Sequence, residues 1–145
     1  MERNRAYDHH YRGVTAMIET YGYPQTAWEA AKQEAEAILN AVAADPNGIP
    51  VAYSELASKI TAIRFAPDQS EFRHFLGQLS TDSDAAGRGM ITALVVYKDR
   101  SKRSPGPGFF KLAKRLGRDI SDPDACWIAE VKRVRAAAPR ILPTG

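Results

Sequence analysis

Apolar residues recur at helical spacing through "TAWEAAKQEAEAILNAVAADPNG", where Trp28, Ala31, Ala35, Ile38 or Leu39, and Val42 fall on one face. Thr26 and Glu29 stand at capping-box spacing at its start, and the turn from Asp45 to Gly48 closes it. Ahead of this helix the pattern is weaker. Residues 1–25 carry Tyr7, Tyr11, Tyr21 and Tyr23, with loose helical spacing at Tyr11, Val14 and Ile18. They read as a short helix or an arm packed on the body formed by residues 26–145.

After the turn, Ile49-Pro50-Val51 is β-type and the pattern then becomes helical. Tyr53 or Ser54 opens a helix with Leu56, Ala57 and Ile60 inward. Beyond "TAIRFAP", Asp68 and Glu71 again have capping-box spacing, ahead of a helix with Phe72, Phe75, Leu76 and Leu79 on its inner face. Two short helices joined by a brief turn make a helix-turn-helix candidate, polar on its second helix at Arg73, His74 and Gln78. "STDSDAAGRG" reads as a loop. "MITALVVYK", Met90 to Lys98, is a nearly continuous apolar run rich in β-branched residues, as a buried strand requires. A basic Pro-Gly-Pro-Gly turn follows, then a helix over Phe109–Leu116 stopped by Gly117. A last helix has Asp122 as N-cap and Pro123 in its first turn. It turns Trp127, Ile128, Val131 and Val134 inward, and Pro139 ends it. No repeat or interdomain linker interrupts the chain.

Composition fits one soluble globular domain: 145 residues, 44% apolar and 26% charged. The net charge of +3 hides an asymmetry. Residues 1–97 hold 8 Lys/Arg against 12 Asp/Glu, or −4; residues 98–145 hold 12 against 5, or +7. A basic end of this kind attracts polyanions. One cysteine, Cys126, excludes an internal disulfide and points to a reducing compartment, so a cytoplasmic location is expected. The polar start "MERNRAYDHHYRG" is no signal peptide, and no apolar run approaches the roughly 20 residues that span a bilayer.

Catalytic and metal constellations are missing from the pattern. His9 and His10 are adjacent, so they do not share a helix face, and His74 is distant. Asp82-Ser83-Asp84 lacks the glycine and closing glutamate of a calcium loop. No serine sits in a strand-turn-helix elbow. The carboxylate pairs Glu34/Glu36 and Asp82/Asp84 read as solvated surface. "SPGPG" has neither a P-loop ending nor a dinucleotide fingerprint. No cofactor, metal or catalytic residue is therefore expected.

The order of helix, "VAYSELA" (Val51 to Ala57), second helix with "FLG" (Phe75 to Gly77), strand, and Gly-containing turn into "GFFKLAKRLG" resembles the alkyltransferase-like winged-helix domain. The likeness covers roughly residues 35 to 117. It implies a mostly α member of the α/β class: a winged helix-turn-helix-like single domain with a short sheet and N- and C-terminal helices. Where that family carries its alkyl-accepting motif, this strand reads "ITALVVYK", with neither cysteine nor histidine. Cys126 lies well downstream on an apolar helix and reads as structural. The family's recognition-helix arginine, three residues before the glycine, corresponds to His74, with Arg73 beside it. What the resemblance implies is DNA binding without alkyl transfer. The block from "GRGMITALVVYK" to "GFFKLAKRLG" also looks like a motif of small uncharacterised bacterial proteins.

The expected function is therefore non-catalytic binding of nucleic acid, duplex DNA first, because phosphate contacts dominate such affinity. Arg73, His74 and Gln78 would face base edges, with Tyr53 and Ser54 at the start of the preceding helix. Lys98, Arg100, Lys102, Arg103, Lys111, Lys114 and Arg115 would hold phosphates. The alternative is a protein-interaction module or regulatory subunit on the same fold. It draws on the acids Glu71, Asp82 and Asp84 near the reading helix and on the tyrosine-rich N-terminus, since tyrosine favours interfaces.

Overall fold

A computed structural model describes residues 19–98 and 104–138. Five helices and a two-stranded sheet occur among them: α1 (Gln25–Ala44), β1 (Val51–Ala52), α2 (Tyr53–Lys59), α3 (Ser70–Ala85), a 3-10 turn (Ile91–Leu94), β2 (Val95–Val96), α4 (Pro107–Arg115) and α5 (Pro123–Ala137). The fold is mostly helical α/β. None of these helices is long and apolar enough to cross a membrane.

The core forms where α1, α3 and the 3-10 turn meet. Helix α1 supplies Trp28, Ala31, Ala35, Leu39 and Ala43, and α3 supplies Phe72, Phe75, Leu76 and Leu79. Ile38 and Val42 pack only at its edge. Alanines at 31, 35 and 43 let neighbouring backbones close in, while Trp28 meets Phe75 edge-on at 5.3 Å between ring centroids. A second cluster joins Met90, Ala93, Phe109, Ala113 and Cys126 across α4 and α5.

The strand expected over Met90–Lys98 is only two residues long. Val95 and Val96 pair in parallel with Val51 and Ala52. The ladder cannot lengthen at β1, because Pro50 has no N–H to donate and Tyr53 already turns into α2. Upstream, side chains replace a neighbouring strand. Glu130 accepts from the Met90 N–H at 2.8 Å, Ser80 from the Thr92 N–H at 3.0 Å, and Trp127 donates to the Ala93 carbonyl at 2.8 Å. Buried on all sides between α1, α3 and α5, the segment is apolar but for Thr92, whose hydroxyl meets that of Ser80, and adopts a 3-10 turn.

Three other local expectations change. Neither capping box forms: Pro24 and Gln69 are the N-caps of α1 and α3, and neither helix start has a side-chain cap. "STDSDA" is helix, not loop. Ser80 and Ser83 face the core, and Asp84 is held by Arg118 at 2.6 Å, so the polar letters have buried or paired destinations. Ile128 is 51% exposed, whereas Cys126 and Glu130 join the expected Val134 as the inward residues of α5. Asp122 does cap α5, accepting from the Ala125 N–H at 3.1 Å. Gly117, at φ +93°, ends α4 with paired backbone bonds of the Schellman type. Pro139, Tyr11, Val14 and Ile18 lie outside the described residues.

Helices α2 and α3 are joined by residues 60–69 rather than a brief turn. Helix α1 secures that link: Glu34 accepts from the Thr61 and Ala62 N–H groups at 2.7 and 2.8 Å and from the Thr61 hydroxyl. The Thr61 N–H, before the other donors, holds the Glu34 carboxyl below its ordinary value of 4.5. A lowered folded-state pKa contributes stability above 4.5 that disappears as pH falls through the folded-state value. Glu34→Gln is therefore expected to lose about 1 kcal/mol at pH 7. The difference from wild type should close in urea titrations repeated at acidic pH.

Glu130 is 1% exposed and carries the densest polar network. Besides Met90, it accepts from Arg118 at 3.0 and 3.1 Å and from Arg133. Removing it leaves the Met90 N–H unpaired and takes one of two carboxylates from the half-buried Arg118, which keeps only Asp84. Glu130→Ala should cost about 1–3 kcal/mol in urea denaturation, and Glu130→Gln clearly less.

Candidate binding groove

Helices α3 and α4 flank a groove of about 910 Å³, with the start of α2 and the end of β2 completing its lining. The outward face of α3 presents Arg73, His74, Gly77, Gln78 and Thr81, residues that return every helical turn. Helix α4 contributes Gly108, Lys111, Leu112 and Arg115, and the edge of Phe109, which is otherwise buried with Ala113 in the core. Tyr53 and Ser54 enter from α2, and Tyr97 and Lys98 from just beyond β2.

Eight of the twelve residues expected to bind nucleic acid therefore line this one groove. Lys114 is exposed on α4 but does not line it. Arg100, Lys102 and Arg103 lie outside the described residues. The Tyr97 N–H donates to the Ser104 carbonyl at 3.1 Å, so the chain leaves and re-enters the described structure at one point on the groove's edge.

The charges in the groove are unequal. Among the described residues, Lys98, Lys111 and Arg115 make no ion pair, and the Arg73 side chain donates only to the backbone carbonyl of Asp68, at 2.9 Å. Lys111 and Arg115 are four residues apart, a like-charge spacing that weakens a helix by about 0.2–0.5 kcal/mol. The acids of α3 are occupied elsewhere. Asp82 pairs with Lys32 at 2.5 Å, Asp84 with Arg118, and Glu71 accepts from the Tyr23 hydroxyl at 3.0 Å. Lys32 and Arg118 offset the charges of Asp82 and Asp84, and among the residues that line the groove four cations, Arg73, Lys98, Lys111 and Arg115, stand against two acids, Asp68 and Asp82.

His74 and Gln78 are also engaged. Both approach the Glu19 carbonyl, at 2.7 and 2.9 Å, and the Trp28 indole N–H donates to the Gln78 side-chain oxygen at 2.8 Å. Donation to the carbonyl puts a proton on His74 Nε2. Tyr21, a non-glycine residue at φ +53°, lies against the His74 ring at 5.2 Å. Residues 19–23 thus lie over the part of α3 expected to read bases.

Sequence reasoning missed the aromatic and glycine features. Tyr97 is 46% exposed, and its ring sits 5.3 Å from that of Tyr53. The Tyr53 hydroxyl accepts from the Gly106 N–H at 2.8 Å; a Cβ at 106 would fall 2.7 Å from the Tyr97 hydroxyl, so the Tyr97 ring keeps this position only beside a glycine and would otherwise shift. Burial pushes the Tyr53 phenol above its ordinary value, partly offset by the Gly106 N–H. Gly77 has no such structural reason. It lies inside a 16-residue helix with nothing within 4 Å of a Cβ, although glycine there costs ~1 kcal/mol relative to alanine. A tyrosine ending an apolar run and a glycine inside a helical pattern were the available signals.

Among the described residues, no group of three or more His, Cys, Asp or Glu side chains could hold a metal ion. Cys126 is buried, and burial, followed by the charge of Glu130, pushes its thiol up. Comparison with protein-family models, curated proteins and solved structures finds no match to this chain.

Tyr53→Phe keeps the ring but leaves the Gly106 N–H without its acceptor. A loss of about 1 kcal/mol is expected, measured by thermal denaturation, with α4 entering the groove less rigidly in hydrogen exchange.

Proposed function

We propose that this protein binds nucleic acid without catalysing a reaction, through the cationic groove between α3 and α4. The observation that carries the reading is the convergence of Lys98, Lys111, Arg115 and Arg73 from three separate segments, with no carboxylate among the described residues paired to any of them. Holding like charges together without counter-ions is unfavourable for folding alone and suits a polyanion. Lys114 and the basic turn with Arg100, Lys102 and Arg103 extend the same charge along the chain. The winged-helix resemblance supports the same partner and makes duplex DNA the first substrate to consider. Of the expected base readers, His74 and Gln78 already have hydrogen-bond partners, so the phosphate grip is the better supported half of that expectation. A cytoplasmic location accords with a single, buried cysteine.

A protein-docking role is the second reading. Leu76, Phe109 and Leu112 favour it, because they give the groove an apolar component.

Fluorescence anisotropy with labelled oligonucleotides between about 50 and 200 mM salt tests the proposal. Wild type should bind with a steep salt dependence. The double variant Lys111→Glu/Arg115→Glu should bind at least ten-fold more weakly while still unfolding in a single cooperative thermal transition, since one like-charged pair replaces another at the same spacing. Salt-insensitive binding, or equal binding by the variant, would exclude a phosphate grip here and turn attention to a protein partner.

A further inference from the structure

We infer that the groove receives an unpaired strand of nucleic acid in preference to a duplex. The inference rests on the nucleic-acid reading above and names the strand state that the same site selects. Its first support is shape. Reading a duplex through the major groove requires a helix that projects into the DNA. The outward face of α3 instead forms one wall of a concavity, with α4 as the other. A groove of about 910 Å³ lies at the upper end of pockets that enclose small molecules, a size suited to separate nucleotides and not to a paired helix.

The second support is the lining. Unpaired bases bind by stacking on exposed aromatic faces beside a cationic track for the backbone. Tyr97, a large side chain left 46% exposed, is braced against Tyr53 and Gly106 at the groove's edge. Lys111 and Arg115 sit one helical turn apart on the wall formed by α4. The third support is the bare backbone of α3 at Gly77. No protein atom needs the space a Cβ would take there, and the groove opens over it. Gly108 on α4 is likewise unobstructed. Glycines without a packing reason on both walls allow flat groups to approach the backbone closely. Finally, Glu19 occupies the hydrogen-bonding groups of His74 and Gln78, which a duplex reader would need free.

The test compares a labelled oligothymidylate with a random-sequence duplex of equal length, using the full chain in anisotropy titrations at about 50 mM salt. The single strand should bind at least ten-fold more tightly. Tyr97→Ala should weaken single-strand binding about ten-fold. Gly77→Ala should weaken it too while raising the melting temperature, an outcome that separates obstruction of the groove from misfolding. Single-strand binding that Lys111→Glu/Arg115→Glu abolishes, but that Gly77→Ala and Tyr97→Ala leave unchanged, overturns this inference and keeps the nucleic-acid reading. Tighter binding of the duplex does the same. If neither ligand binds, or the charge reversals have no effect, the nucleic-acid reading itself fails.

Discussion

A single buried carboxylate, Glu130, fixes how the two halves of this protein meet. It reaches from α5 to the backbone of Met90, where the buried 3-10 segment begins, and to Arg118, just beyond the end of α4. Arg118 continues the connection to Asp84 near the end of α3, at 2.6 Å. A charge in the interior is unfavourable unless its partners are complete, and here two arginines and an N–H complete them. Asp84 and then Glu130 raise the Arg118 pKa further, so its charge persists throughout the accessible pH range. Because α3 and α4 are the two walls of the groove, this network ties the far ends of both walls to one point.

The near end of the groove depends on a different contact. Tyr53 holds the Gly106 N–H, and Tyr97 closes over the same glycine. The turn before α4 is therefore fixed against β2 and α2. Between these two attachments, the groove faces of the helices make few internal commitments. Lys111 and Arg115 lack counter-ions, and Gly77 lacks a packing partner. Stability resides in the attachments, and the surface between them is shaped by something other than stability. That division gives the groove a physical claim to function without any family match.

Helix positions were largely legible in the sequence. The spacing of Trp28, Ala31 and Ala35, the inward Leu56 and Ala57, the Phe72 to Leu79 stripe, the Asp122 cap and the Gly117 stop all appear in the fold. These features are local: a helix needs only its own periodicity and ends to be recognised. Cationic candidates were legible as well, because clustering in sequence survives as clustering on α4. Tyr97 and Gly77 escaped notice as site residues, since neither signals a role until its neighbours in space are known.

Sequence alone thus determined the mostly α character, the inner faces of the helices and the concentration of positive charge towards the C-terminus. Tertiary structure decided everything that depended on a partner distant in the chain. It made a 3-10 turn of Ile91–Leu94, because side chains from α3 and α5, not a strand, satisfied that backbone. It extended α3 through Asp84, because Arg118 was waiting 34 residues away. It paired Asp82 with Lys32 and Asp84 with Arg118, gave Glu71 a hydrogen bond from Tyr23, and tied His74 and Gln78 to Glu19. Periodicity reports which face of an element is buried; only the assembled fold supplies the atoms against which each polar group is satisfied.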